Sequence, residues 1–294
     1  MKNKYNKELN IGQNNLDKLI KQIDQIDQIS DSQWKESLNN RKVKELEFHD
    51  RDRDRQRIKT TQTNDTFEQF YGNKKYYSAT KRSTEFVREW ISKEARGKVF
   101  LDYACGNGGN AIFAAKSGAA LSLGLDISGI SVLNARRAAE EDGVTKTTKF
   151  FQADCENTHL LSESIDVIIC SGMLHHLDLS HALPELRRIM KPGGKLLAVE
   201  ALDYNPAIKI YRMMTPSMRT DWEKAHILDL DDLIFASRFF DVKGVRFWHV
   251  LGYIAGKYPA MFPLLDRIDS VFEKIPYFQR MAWIFTFELC KRFE

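Results

Sequence analysis

Val99-Phe-Leu-Asp-Tyr-Ala-Cys-Gly-Asn-Gly-Gly-Asn-Ala111 runs from a short apolar strand into a glycine-rich turn and on into a helix. Val99, Phe100 and Leu101 carry strand chemistry. Gly106-x-Gly108-x-x-Ala111 fits the turn in which missing side chains let a ligand approach the backbone. Ala111-Ile-Phe-Ala-Ala-Lys116 supplies the helix, and Gly118 ends it. The turn alone does not discriminate, because dinucleotide-binding folds use the same pattern. Two acids add information. Asp102, at the carboxyl end of the strand, would attract a cation and repel a pyrophosphate. Ala120-Leu-Ser-Leu-Gly-Leu-Asp-Ile127 reads as a second strand ending in Asp126, about twenty residues past the turn, from where an acid can accept both ribose hydroxyls. The pattern describes a nucleoside site without a clear phosphate cradle.

Further strands follow at α/β spacing. Ser128 is suited to cap a helix that passes through Val132, Leu133, Ala135 and Ala138 and stops at Gly143. Lys149-Phe-Phe-Gln-Ala-Asp-Cys155 is a third strand, ending in Asp154. Ile165-Asp-Val-Ile-Ile-Cys-Ser-Gly-Met-Leu-His-His-Leu177 is a fourth strand and its loop, whose residues Ser171 to His176 border the crevice at the strands' carboxyl ends. A helix bearing Leu183, Leu186, Ile189 and Met190 leads through Pro192-Gly-Gly194 to a fifth strand, Lys195 to Glu200. Asp229 to Phe240 is expected as a helix, Val242 to Val250 as the sixth strand and Ala282 to Cys290 as the seventh. The predicted fold is α/β: a seven-stranded, mostly parallel sheet with an antiparallel last strand, helices on both faces and an N-terminal helical extension.

The remaining composition sets bounds. The chain has 294 residues, 43% of them hydrophobic, enough for one large domain with additions. Its net charge of +4 comes from 44 basic and 40 acidic residues, a balance that does not point to nucleic acid. Cys105, Cys155, Cys170 and Cys290 are widely spaced without a C-x-x-C pair and read as reduced core thiols of a cytoplasmic protein. No metal-ligand spacing stands out. Met1-Lys-Asn-Lys-Tyr opens a polar stretch, and no transmembrane segment is expected.

Residues 1–63 are expected as a helical extension, with Leu16, Leu19, Ile20, Ile23, Ile26 and Ile29 on one amphipathic face for docking on the main domain or for a homodimer contact. Within it, Phe48-His-Asp-Arg-Asp-Arg-Asp-Arg55 reads as a solvated, salt-bridged surface. Residues 64–97 are expected to form a lid or helical segment: Phe86, Val87, Trp90 and Ile91 share a core-facing helical side, while Tyr76 and Tyr77 lie in an irregular stretch suited to packing or to a lid over a cation. The main domain spans 98–294, with insertions at 201–228 and 251–278. The first holds Tyr211, Arg219 and His226 beyond Glu200; the second is apolar and aromatic, suited to a helical cover or a hydrophobic wall.

The acid-x-x-x-Gly-x-Gly turn, the acid closing the second strand, the paired histidines after the fourth strand and the Lys-Pro-Gly-Gly element resemble class I S-adenosylmethionine-dependent methyltransferases over residues 98 to 202. The resemblance implies S-adenosylmethionine as cofactor: Gly106 and Gly108 beside its methionyl part, Asp102 near its ammonium, Asp126 on ribose, Asp154 on adenine between Ile127 and Cys155, and Ser171 at the crevice. It implies methyl transfer to an oxygen or nitrogen of a small hydrophobic acceptor, with Tyr76, Tyr77, Glu200, Tyr211, Arg219 and His226 on the substrate side. His175 and His176 are the candidate bases if the acceptor holds its proton. The strand-four loop departs from the Pro-Pro loop of amino-directed DNA methyltransferases, and no Pro-Cys nucleophile appears, so DNA is not an expected partner. A nicotinamide-dependent oxidoreductase and a non-catalytic scaffold of this fold are the alternatives; Asp102 and the Lys-Pro-Gly-Gly element late in the sheet weigh against the first.

Overall fold

The computed structural model describes residues 2–53 and 80–293, with side chains over 14–51 and 80–293. Its centre is a seven-stranded sheet in the order β3-β2-β1-β4-β5-β7-β6. The strands are β1 (Val99–Tyr103), β2 (Leu121–Asp126), β3 (Thr148–Gln152), β4 (Ile165–Ser171), β5 (Met190–Ala201), β6 (Asp241–Trp248) and β7 (Ile284–Cys290). β3 through β5 pair parallel, and β7 runs antiparallel between β5 and β6. All five residues of β1 and all six of β2 are buried, as central parallel strands covered on both faces require.

Side chains alternate across the sheet and build a core on each face. Phe100, Val167, Ile169 and Leu197 meet Val87, Trp90 and Ile91, which lie on α4 (Lys81–Glu94). Val99, Leu101, Ile168 and Leu196 meet Leu183, Leu186 and Ile189 from α7 (Leu179–Ile189) on the opposite face. Between β1 and β2 runs α5 (Gly109–Lys116), and after β2 comes α6 (Gly129–Glu141), whose N-cap Ser128 accepts a hydrogen bond from Ser131 N at 3.0 Å. The strand order reverses between β1 and β4, so their carboxyl ends open the crevice.

The extension is three helices rather than one: α1 (Lys2–Ile26), α2 (Asp31–Ser37) and α3 (Asn40–Arg53). Leu19 and Ile23 are buried in the main core, and each contributes roughly 1.5–3 kcal/mol to docking α1 on the domain. Because this apolar stripe is covered by the chain's own β3 side, it is not available as the homodimer contact anticipated for it; Ile29 alone of the six stays exposed.

The 201–228 insertion folds as α8 (Pro206–Met214) and α9 (Asp221–Ala225), followed by α10 (Leu230–Ala236). The 251–278 insertion holds α11 (Phe262–Phe272). All four cysteines are free thiols. Among the described residues no helix is long and apolar enough to cross a membrane.

Candidate functional site

The glycine turn is held from below. Gly106 and Gly108 take φ of 52° and 78°, where a side chain would be strained. Gly106 N donates to Asp126 Oδ2 and Ser128 N donates to Asp126 Oδ1, both at 2.9 Å, so one carboxylate ties the turn to the end of β2. Gly108 faces the core rather than an open ligand surface. A Cβ there would lie 2.8 Å from Ala135 Cβ and from Phe150 Cε1, so glycine is needed for α5 to close on α6 and β3.

Asp102 is likewise spent on the scaffold. It is 2% exposed, accepts from Ala111 N at 3.2 Å and from Asn110 Nδ2 at 3.5 Å, and lines none of the cavities at the crevice. These two bonds fix the start of α5. Burial pushes its pKa up to about 7 against the pull of the Ala111 N–H. A raised carboxyl pKa means that the folded state holds a proton the unfolded chain has lost, so stability falls from about pH 4 to about pH 7. Asp102→Asn can keep the Ala111 bond once Asn110 turns its amide, and is expected to abolish that decline in thermal melts taken across the window.

Three cavities meet at the carboxyl edge of the sheet. One, of about 80 Å³, lies among Asp126, Ile127, Asp154 and Cys155. A second, of about 310 Å³, lies beside Gly109, Asn110 and Phe113, under Thr80, Ser83 and Thr84. The third and largest, about 530 Å³, is bounded by the strand-four loop, β5 and the α8–α9 insertion. Ser171 lines all three, so the end of β4 is their junction.

The small cavity is small because α3 lies over it. Lys42 Nζ binds Asp154 Oδ2 at 2.5 Å and Glu156 Oε2 at 2.9 Å, Arg41 bridges Glu156 and the carbonyl of His176, and Trp34 Nε1 donates to the Ile127 carbonyl at 3.2 Å. Asp50 accepts from Ser128 Oγ at 2.5 Å, and Phe48 and His49 line the large cavity. Residues 48–50 are thus turned into the crevice, not out to solvent as their charge alternation suggested. The sequence signal that was available is the i, i+4 pair Glu45 and His49, which repeats on one helical face.

The histidine loop is organised by Glu200. Its carboxylate, 1% exposed, accepts from Met173 N and Leu174 N at 2.8 Å through Oε1 and binds His175 Nδ1 at 2.7 Å through Oε2. Glu200 lines the large cavity, as expected for a substrate-side residue, and also positions His175. His176 Nδ1 is bound by Glu45 Oε2 at 2.9 Å, and the two imidazoles lie 4.3 Å apart at 37°. Glu223 Oε1 sits 4.0 Å from His175 Nε2 and 3.3 Å from Arg219 Nε. Burial raises the Glu223 carboxyl, with His176 and Arg219 pulling the other way.

Tyr211 and Arg219 line the large cavity with Arg212, Met218, Tyr253 and Trp283, as expected for the first two. His226 does not. Its ring stacks on Trp222 at 3.8 Å and its Nδ1 faces the Trp222 carbonyl at 2.8 Å, so local contacts turn it away from the cavity. Tyr76 and Tyr77 lie outside the described residues.

Residues 101–198 match the methyltransferase domain family. The ribosomal protein L11 methyltransferase of Pasteurella multocida is 31% identical over 120 residues, covering 40% of this chain and 39% of that protein, and that of Photobacterium profundum aligns to the same extent. The chain thus spans well under half the length of the curated relatives it matches. Among solved structures, a geranyl diphosphate methyltransferase with geranyl diphosphate and sinefungin has a TM-score of 0.54 at 13% identity, covering 72% of this chain and 78% of that one. The cyclase SpnF has a TM-score of 0.53 at 17% identity, covering 72% and 82%. At such identities the likeness is one of fold alone.

The crevice fits the adenosyl donor at two points of its own: Asp126 lines the small cavity with Ile127 and Asp154, and the space beside Gly109 shares Ser171 with the larger cavity. With the match spanning the turn, the strand-ending acids and the histidine loop, residues 101–198 form a methyltransferase domain of the class I S-adenosylmethionine-dependent type, with S-adenosylmethionine as its cofactor.

Proposed function

We propose that the protein transfers a methyl group to an oxygen or nitrogen of a small acceptor held in the 530 Å³ cavity. The observation that carries this is the junction at Ser171, where the spaces beside Asp126 and beside the glycine turn both open onto a separate, larger chamber. Bound S-adenosylmethionine supplies an electrophilic methyl group on its sulfonium. Asp126 accepts the ribose hydroxyls, and Asp154 accepts from the adenine amine between Ile127 and Cys155. The chain then has to hold the acceptor in line and exclude water, which is worth roughly 7–11 kcal/mol of a barrier.

The cavity has the size of a small-molecule pocket and a mixed wall: Ile208, Met218, Tyr253 and Trp283 on one part, Arg219, Glu223, His175 and His176 on another. Such a wall suits an acceptor with an apolar body and a polar, proton-bearing end placed against the histidines. The L11 methyltransferases act on a ribosomal protein by name, but their match covers only 40% of this chain and 39% of that protein. The test is incubation with methyl-labelled S-adenosylmethionine and a metabolite extract, followed by mass spectrometry. A labelled metabolite is expected. Label only in protein would move the acceptor to a polypeptide, and no transfer to either would favour a non-catalytic scaffold.

The donor end requires α3 to yield. About 80 Å³ is far below the roughly 300 Å³ of the smallest ligand pockets, and Lys42 occupies the carboxylate assigned to adenine. Lys42→Ala is therefore expected to speed donor association, by roughly fivefold if the partly buried pair contributes about 1 kcal/mol. Stopped-flow binding checks this; slower or weaker binding would make Lys42 a donor contact instead.

A further inference from the structure

We infer that His175, His176 and Glu223 form a binding site for a divalent first-row transition ion, facing the acceptor cavity. A ligand atom of each lies within 4.8 Å of the others, and all three line the 530 Å³ cavity. The set is two imidazoles and a carboxylate, the donors that suit zinc, iron, cobalt and nickel and leave coordination positions open.

The surroundings of the three residues argue for an ion more than their proximity does. Histidines that ligate a metal characteristically give their other ring N–H to a carboxylate, which fixes the tautomer and aims the ligating nitrogen. Both histidines have that arrangement here: Glu200 Oε2 takes His175 Nδ1 at 2.7 Å, and Glu45 Oε2 takes His176 Nδ1 at 2.9 Å. Each Nε2 is then the nitrogen left for an ion. His175 Nε2 is 4.0 Å from Glu223 Oε1, whereas ligands about 2.1 Å from a tetrahedral ion stand about 3.4 Å apart, so a closure of about 0.6 Å brings this pair to ligand spacing.

Charge points the same way. Glu45, Glu200 and Glu223 are all buried, at 5%, 1% and 9% exposure. Arg219 faces Glu223, but among the described residues no lysine or arginine pairs with Glu45 or Glu200, whose partners are histidines and backbone N–H groups. Buried carboxylates need a compensating positive charge, and an ion on the two imidazoles supplies it across each ring. The rival is protonation of the histidines themselves, which would take up no metal. His49, 3.8 Å from Glu45, forms a second group with Glu45 and His176, so α3 also bears on the site.

The site stands without methyl transfer; its use in the reaction rests on the function proposed above. An acceptor oxygen entering an open position would lose its proton more readily and present a lone pair to the donor.

The test is titration of the chelator-treated full-length protein with Co²⁺, read by visible absorption, and with Zn²⁺, read by calorimetry, without cofactor. One equivalent with intense visible bands is expected. Glu223→Gln and His175→Ala should each weaken binding by at least 100-fold, and Glu45→Gln, which touches only the imidazole orientation, by roughly 10- to 100-fold. Should His175→Ala not fold, Glu223→Gln alone decides. Absence of one-equivalent uptake, or uptake that both ligand variants leave unchanged, overturns the inference; the latter places the ion elsewhere, for example at the buried His249, Asp269 and Glu273 group. S-adenosylmethionine titrated into the same metal-free protein separates the two readings. Donor binding without metal uptake removes the ion site alone, and metal uptake without donor binding removes the donor assignment alone.

Discussion

Asp126→Ala is expected to weaken S-adenosylmethionine binding by about 1.5–3 kcal/mol, the range for hydrogen bonds to a charged group, or roughly 10- to 150-fold in Kd. Two effects add. The ribose hydroxyls lose their acceptor, and the glycine turn loses the anchor between Gly106 N and Ser128 N. Because the carboxylate is 6% exposed, both N–H groups would be left buried and unpaired, so the variant should also melt at a lower temperature. Asp126→Asn separates the effects: its single carbonyl can satisfy only one of the two backbone donors, while its amide can still bond a ribose oxygen. Calorimetric titration of all three proteins gives the affinities and thermal melts give the stabilities. Unchanged donor affinity in a folded Asp126→Ala would remove the ribose assignment.

The donor half of the crevice was legible in the sequence for a physical reason. Parallel strands buried on both faces must be apolar throughout, so an acid or glycine at their carboxyl ends stands out and can only lie at the crevice. That logic located Asp126, Asp154, Ser171 and the two histidines. It could not separate an acid that lines the cavity from one set behind it, since Asp102 and Asp126 both stand at the carboxyl end of a buried strand and both accept backbone N–H groups. Nor could it place α3. Alternating Asp and Arg over residues 50–55 looks like a solvated surface to any local reading, while the contacts that draw residues 41–50 into the crevice reach partners as far away in sequence as His176. In the 201–228 insertion, composition announced a polar wall, but helix orientation chose its members. Arg219 and Glu223, one turn apart, face inward together, while His226 is captured by Trp222 in the next turn.

Glu200→Gln is expected to lower kcat by roughly 10²- to 10⁴-fold while leaving donor affinity and overall stability close to the parent. The amide oxygen can go on accepting from Met173 N and Leu174 N, so the strand-four loop keeps its shape. What changes is the atom opposite His175 Nδ1. An amide nitrogen donates where the carboxylate oxygen accepted, and His175 can meet it only by moving its proton from Nδ1 to Nε2. In that tautomer Nε2 carries a hydrogen toward the cavity and can neither take the acceptor's proton nor hold an ion. ¹⁵N resonances of the imidazole report the tautomer directly, independent of any acceptor. A tautomer switch with lost turnover would show that Glu200 acts through His175. Glu200→Ala, by contrast, leaves two backbone donors buried without partners, at about 1–3 kcal/mol each, and should fail by destabilising the loop. If Glu200→Gln switched the tautomer and kept full turnover, His175 would be no part of the chemistry, and activation of the acceptor would have to be sought at His176 and Glu223.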